Sequence, residues 1–329
     1  MGAQTIRVAA PDTEIRLDRW FKRHYPELGH AMIERLLRTG QIKVDGKKAT
    51  SSQRIVEGQE IRVPPIKLDP ARATVAKPSV ADAAEIEALH QAILYRDEDV
   101  LVINKPAGLA VQGGTGQGEH HLDALLDGLR FEAPDRPRLV HRLDKDTSGV
   151  LVLGRSAAAT AKLAAAFRSR DARKCYWALV VGVPHPRMGR ISAPLAKMTG
   201  RLGDKVEVDE EEGKHAVTWY RVVDNVLKKA AWLELEPRTG RTHQLRAHCL
   251  LLKTPILGDG KYGGAEAFLA GQGISRKLHL HARTLRVPHP RQGILEVTAP
   301  LPAHMKMSFE FFGFDSSQAG PPFTSFDEN

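Results

Sequence analysis

Two spacings of apolar residues alternate along this chain, and the switch from one to the other divides it into regions. Ile15, Leu17, Trp20 and Phe21 approximate one helical face, and Met32, Ile33, Leu36 and Leu37 form another, with Gly40 positioned as a C-terminal cap. The period then shortens to that of strands. Ile42–Val44, an Asp45-Gly46 turn and a second strand ending at Glu60-Ile61-Arg62-Val63 predict a hairpin. Residues 15–63 thus predict a small helix–helix–hairpin module. Residues 64–78 carry four prolines and predict an extended linker, which leads into a short helix over residues 80–91.

From residue 92 onward, strand-length runs dominate: Ala92–Tyr95 and Val100–Ile103 across an acidic turn, then Val150–Leu153, Tyr176–Val181, Ala216–Val223 and Ala231–Leu235. Ser156 is placed to N-cap an Ala-rich helix to Phe167, and a second helix is expected from about Thr242 to Leu252. Few helices have the length of a crossover connection. The prediction is an α+β fold in which residues 92–312 form a domain on a mixed, mainly antiparallel sheet. Residues 313–329 are polar and rich in Gly and Pro, and predict a disordered tail.

The bulk numbers narrow the class of partner. A length of 329 residues suits two domains. Lys and Arg outnumber Asp and Glu by 48 to 39, giving a net charge of +9, which suits a polyanionic partner. Aromatic residues are 6% of the chain, too few for an extended base-stacking platform. The two cysteines, Cys175 and Cys249, form no CxxC pair, so a thiolate zinc site is not expected and a reducing, cytoplasmic setting is. No apolar run reaches membrane-spanning length, and no membrane partner is expected.

The densest chemistry lies in His141-Arg142-Leu143-Asp144-Lys145-Asp146-Thr147-Ser148-Gly149. A carboxylate, flanking cations and a small-residue turn precede an apolar strand, so the segment reads either as a solvated ion pair or as a carboxylate presented to an anionic substrate. A second segment, Thr239-Gly240-Arg241-Thr242-His243-Gln244-Leu245-Arg246, delivers Arg241 to a helix start that Thr242 is able to cap. Helix dipole and guanidinium together would hold a carboxylate ionised. Asn104-Lys105-Pro106-Ala107-Gly108 and Lys174-Cys175-Tyr176-Trp177-Ala178-Leu179-Val180 complete the set. Alone, the first reads as a loop whose Lys105 is available to phosphate, and the second as a core strand.

Together these segments resemble the HRLDxxTSG, TGRTHQ(L/I)R, NKPxG and KxYxALV motifs of the RluA-type pseudouridine synthases, over residues 15–312. The resemblance implies isomerisation of uridine in RNA without metal, redox partner or other cofactor. It implies that Asp144 is the catalytic carboxylate, paired with Arg241, and that Tyr176 and Leu245 lie against the base, with Tyr176 also catalytic as a candidate to collect the C5 proton. Arg142 would fill the gap left by an extruded uridine, and Lys105 would contact phosphate. Gln112 departs from the family, whose members usually carry His there. The helix–helix–hairpin order resembles the S-four-like RNA-binding domain. That resemblance turns Arg35, Arg38, Lys43, Lys47 and Lys48, otherwise a solvated face, into RNA contacts. The implied partner is large-subunit ribosomal RNA or a pre-ribosomal particle, bound by a monomer.

Two rival readings are weaker. A non-catalytic RNA-binding or ribosome-assembly factor would need the charge but not the carboxylate set. A metal hydrolase is suggested by His279-Leu280-His281 with His243 and His248, yet no HExxH occurs. The Gly113–Gly118 run lacks the GK[ST] of a phosphate loop and reads as a mobile glycine-rich loop.

Overall fold

A computed structural model describes residues 4–25, 28–65, 80–113, 120–198, 205–271 and 274–326. The body of the expected proline-rich linker and nearly all of the Gly113–Gly118 loop lie outside these. The chain divides into two compact units, residues 1–79 and 80–329.

In the first unit, α1 (Leu17–His24) buries Leu17, Trp20 and Phe21, and α2 (His30–Arg38) buries Ile33 and Leu37. Met32, expected on the same face, is exposed. Strands β2 (Lys43–Val44) and β3 (Lys47–Lys48) form the hairpin, with Asp45 and Gly46 at φ 51° and 73°, as a tight primed turn requires. Strand β4 (Glu60–Val63) pairs with β2 on one side and with β1 (Gln4–Arg7) on the other. The sheet therefore begins before residue 15. Four residues of mixed character carry too little periodicity to mark an edge strand.

The second unit opens with α3 (Val80–Gln91), β5 (Ile93–Arg96) and β6 (Val100–Lys105). A one-turn α4 (Leu122–Leu125) and a short β7 (Arg138–Leu139) precede β8 (Ser148–Gly154), α5 (Ala157–Ser169) and β9 (Arg173–Val181). Strands β10 (Met188–Ser192), β11 (Leu195–Lys197), β12 (Val206–Val208), β13 (Val217–Val226) and β14 (Ala230–Pro237) follow. The unit closes with α6 (Gln244–Leu251), β15 (Leu280–Pro288), β16 (Ile294–Thr298) and α7 (Ala303–Phe312). A ten-stranded sheet runs β10-β13-β14-β9-β15-β8-β6-β5, with β16 on β15 and β7 on β8. Every pairing in it is antiparallel except β15 with β8, so the sheet is mixed and mainly antiparallel, as expected.

Alternation along β9 sorts its side chains between the two faces. Cys175, Trp177 and Leu179 join Trp232, Met305 and Phe309, while Ala178 and Val180 join Leu245 and Cys249 of α6, with Tyr176 packed against the same cluster. Strand β14 is buried at all eight positions, including Glu234 and Glu236. These carboxylates accept from Arg221 Nε (2.8 Å) and Arg173 Nε (2.9 Å), which is how buried charge is tolerated.

Over residues 313–326 the tail is not disordered as expected. Phe314, Ala319, Phe323 and Phe326 are buried, and the guanidinium of Arg173 lies over the Phe323 ring at 4.7 Å. Arg173 also donates to the Phe323 carbonyl (3.3 Å) and Arg221 to that of Ala319. Polar composition misled here because a few aromatics spaced along an irregular segment can anchor it without any periodicity.

The one parallel pairing, His281 with Ser148 and Ala282 with Gly149, holds the start of β8 at the centre of the sheet. Gly149 has φ 113°, and a Cβ there would lie 2.2 Å from the Ala282 carbonyl oxygen. Gly149→Ala is expected to cost about 3 kcal/mol or more in urea unfolding, since both strain and overlap fall on backbone. A loss under about 1 kcal/mol would show that the pairing is not so constrained.

Candidate active site

Asp144 sits in the turn between β7 and β8, closed by Thr147 N–H donating to the Asp144 carbonyl (3.1 Å). Several contacts fix this turn from below. Ser148 Oγ hydrogen-bonds His281 Nδ1 (2.9 Å). His141 Nε2 accepts the Val152 N–H (3.0 Å), and the ring stacks on Phe167 at 4.4 Å. Burial pulls the His141 pKa down to about 3, so it acts as a neutral acceptor.

Lys105 is fully buried. Its Nζ donates to the carbonyls of Pro106 (2.8 Å), Leu109 (2.8 Å) and Lys145 (3.0 Å), so its ammonium is spent on backbone and is not available to phosphate. The expected phosphate contact is therefore corrected: Lys105 clamps the turn after β6 to the residue that follows Asp144. Burial lowers its pKa to about 7, opposed by the charges of Asp146 and Asp144.

Two cavities of about 830 and 820 Å³ share Arg142, Leu143, Asp144, His243 and Arg246. The Asp144 side chain is 20% exposed between them. The first cavity is walled by Tyr176, Leu245 and Leu280, and its rim carries Arg168, Arg170, Lys174 and Arg238. The arrangement suits a flat ring against an apolar wall with an anionic chain outside. Burial, followed by the charge of Asp144, raises the Tyr176 pKa well above its ordinary value, so its phenol stays protonated. Arg142 is exposed and makes no hydrogen bond or ion pair among the described residues.

The expected Arg241–Asp144 pair is not formed. Arg241 is exposed, and its Nε donates to the His215 carbonyl (3.0 Å). Helix α6 starts at Gln244 with His243 as N-cap, not at Thr242. Buried Gln244 sets this start: its Oε1 accepts from Thr239 Oγ1 (2.7 Å) and Arg241 N–H (3.0 Å), and its Nε2 donates to the Val217 carbonyl (2.9 Å). This rotates Arg246, one residue past Leu245, inward. Arg246 grips Asp259 through Nε (2.8 Å) and an Nη (2.7 Å). Burial alone would lower the Arg246 pKa, but its bonds to Asp259 and the charges of Asp259 and Asp144 raise it. Arg246 is thus a buried cation held by Asp259, on which the charge of Asp144 also acts.

Sequence reasoning also missed His243 and Tyr262. His243 Nε2 lies 3.9 Å from Asp144 Oδ2, and Nδ1 lies 3.0 Å from Tyr262 Oη. Arg246 and His243 both stand within the quoted Thr239–Arg246 motif, so their presence was visible. Which arginine turns inward depends on the register of α6, set by contacts of Gln244 with β13 that no local pattern encodes.

The histidines of the metal reading are spent elsewhere. His279 contacts the Leu257 carbonyl (3.1 Å) and Ser308 Oγ (2.8 Å), and His248 contacts Thr218 Oγ1 (2.8 Å). Among the described residues no group of three or more His, Cys, Asp or Glu side chains is arranged to hold a metal ion. No helix among them is long and apolar enough to cross a membrane.

Known proteins resemble this chain over most of its length. A family model described as RNA pseudouridylate synthase covers residues 99–251, from the approach to β6 through α6. The chain belongs to the RNA pseudouridylate synthase family. Ribosomal large subunit pseudouridine synthase C of Salmonella typhi is 33% identical over 316 residues, covering 94% of this chain and 96% of that protein. The protein of the same name from Rickettsia conorii is 36% identical over 275 residues, 82% and 88% of the two chains. The solved structure of human RNA pseudouridylate synthase domain containing 4 superposes with a TM-score of 0.59 at 32% identity, covering 71% of this chain and 97% of that one.

Three histidines shielded from solvent in this unit imply an acid sensitivity. Burial lowers the pKa of His141 and His281 to about 3 and that of His279 to about 4. Above pH 6.5 folded and unfolded chains are both neutral at these rings. Below it the unfolded chain takes up protons that the folded chain refuses, so stability falls with pH. Urea unfolding is expected to lose about 5 kcal/mol between pH 6.5 and 5, ahead of carboxylate protonation. A flat profile over that interval would contradict the neutral assignments.

Proposed function

We propose that this protein converts specific uridines of large-subunit ribosomal RNA to pseudouridine, with Asp144 as the catalytic carboxylate. The observation that carries the reading is one carboxylate at the junction of two cavities, facing a tyrosine–leucine wall inside a rim of cations. The names of the bacterial relatives supply the substrate class.

The reaction breaks the N1–C1′ bond, turns the uracil and joins C5 to C1′. The C5 proton leaves and N1 gains one, so atoms and electrons balance with no co-reactant. Asp144 acts on the ribose, either at C1′ or by removing a ribose proton. Asp259 holds the Arg246 guanidinium in place nearby. Tyr176 and Leu245 retain the detached ring while it turns. Because its phenol stays protonated, Tyr176 does not serve as a phenolate base; it orients the base as a donor or packs against it.

A stacked uridine must be extruded to reach this cleft. Arg142, at the mouth and without a partner among the described residues, is suited to enter the vacated stack. The first unit serves as an S-four-like RNA-binding domain. Arg35 and Arg38 are exposed on α2, and Lys47 and Lys48 are exposed on the β2–β3 hairpin, where Lys43 pairs with Lys48. The two buried free cysteines suit work in the reducing cytoplasm.

Release of C5 tritium from labelled large-subunit RNA tests the reaction. Asp144→Asn is expected to lower release by at least about 1,000-fold while RNA still binds. Absence of release by the native protein on both naked RNA and immature particles would instead favour a binding factor. Arg142→Ala is expected to slow release on folded RNA and to spare a short unstructured RNA; full activity on folded RNA removes that role. Replacing Lys47 and Lys48 by Ala should weaken binding to all RNA sequences alike. It should also reduce the salt slope of log K by about one for each phosphate no longer neutralised.

A further inference from the structure

His243 lies beside the Asp144 carboxylate, and the family motifs supply it no role. Its backbone lies at φ 50°, in the left-handed region that a non-glycine residue rarely occupies. It caps α6 without a side-chain capping bond, so the ring is not engaged with the helix end. The ring points instead between two groups. Nδ1 faces Tyr262 Oη at 3.0 Å, and Nε2 faces Asp144 Oδ2 at 3.9 Å.

The proton positions follow from the partners. Val206 N–H donates to Tyr262 Oη (2.9 Å), which leaves the phenolic hydrogen to be placed. Among the described residues, His243 Nδ1 is the only other atom bonded to that hydroxyl. If the phenol donates to Nδ1, every polar hydrogen here has an acceptor, and Nε2 carries its hydrogen toward the carboxylate. The opposite tautomer would strand the phenolic hydrogen and aim a lone pair at an anion. Tyr262 is fixed in turn by its N–H to Asp259 Oδ1 (3.2 Å), and Asp259 is gripped by Arg246.

We propose that His243, oriented by Tyr262, is a positioning residue for Asp144. Its Nε2–H faces Oδ2, sets the rotation of the carboxylate and leaves Oδ1 to the substrate. At 3.9 Å the contact is longer than a hydrogen bond, and it closes when RNA fills the cleft. The strained backbone at His243 is what brings the ring to this point rather than out to solvent. The inference deepens the isomerase reading and rests on it.

Steady-state tritium release for His243→Phe, His243→Gln, Tyr262→Phe and the Phe/Phe double variant tests it, with Asp144→Asn as the reference. His243→Phe is expected to lower kcat by about 10- to 100-fold with KM changed less than about threefold, as misorientation of a reacting group does. His243→Gln, whose amide can still donate, should recover most of that loss. Tyr262→Phe keeps the ring and should lower kcat by about 3- to 10-fold, and it should add little to His243→Phe because the two act as one unit. Thermal unfolding of each variant separates loss of fold from loss of orientation. The inference is overturned if folded His243→Phe keeps kcat within about twofold, if Gln restores nothing, or if the two losses multiply. Full activity of Asp144→Asn would instead remove Asp144 from the reaction, and no release by the native protein would overturn the isomerase reading itself.

Discussion

The buried ammonium of Lys105 is the contact on which the site depends. Taking that charge out of water costs several kcal/mol, and its three N–H groups recover it only where three carbonyl oxygens converge. Two of those, from Pro106 and Leu109, belong to the turn that follows β6. The third belongs to Lys145, beside Asp144. Gly108 N–H donates to the same Lys145 carbonyl (2.9 Å), so two loops distant in sequence are joined at one point. A hydrophobic residue could fill the space but would leave those carbonyls without partners. The carboxylate thus stands on a platform whose position is set by a buried side chain bonded only to backbone carbonyls.

The rest of the site is assembled from the middle of the sheet outward. Strand β8 carries the Asp144 turn, and its parallel partner β15 braces that turn through Ala282 and His281. Strand β9, on the other side of β15, presents Tyr176 to the face covered by α6, whose first turn brings Leu245 and Arg246. Around Asp144 the side chains form a chain of mutual support: Arg246 to Asp259, Asp259 to the Tyr262 backbone, Tyr262 to His243, and His243 back to Asp144. This chain of contacts holds the His243 ring beside the Asp144 carboxylate.

Much of this was legible from residue patterns, and what was not has a common cause. The helices of the first unit, the Asp45-Gly46 turn and the strands flanking residues 96–99 follow from period and turn chemistry. Asp144, Tyr176 and Leu245 stood out through motif, and all three line one cleft. Lys105 and Arg241 stood in equally clear motifs, yet one is buried and the other faces away. A motif marks a residue as constrained without saying whether substrate or scaffold constrains it. Strand β1 and the C-terminal segment escaped because each is held by long-range contacts: β1 by pairing with β4, the tail by Phe314, Phe323 and Phe326 entering a core built elsewhere.

The central claim is that a buried lysine, not a substrate contact, determines what Asp144 can do. Lys105→Met tests it most directly, assayed at a temperature where near-ultraviolet circular dichroism matches the native protein. The account predicts RNA binding within about threefold of native and uridine isomerisation lowered about 100-fold or more, because the carboxylate is displaced while the RNA-facing cations remain. Isomerisation kept within about twofold would contradict it. So would a loss of RNA affinity in proportion to activity, which would return Lys105 to the role of a phosphate contact.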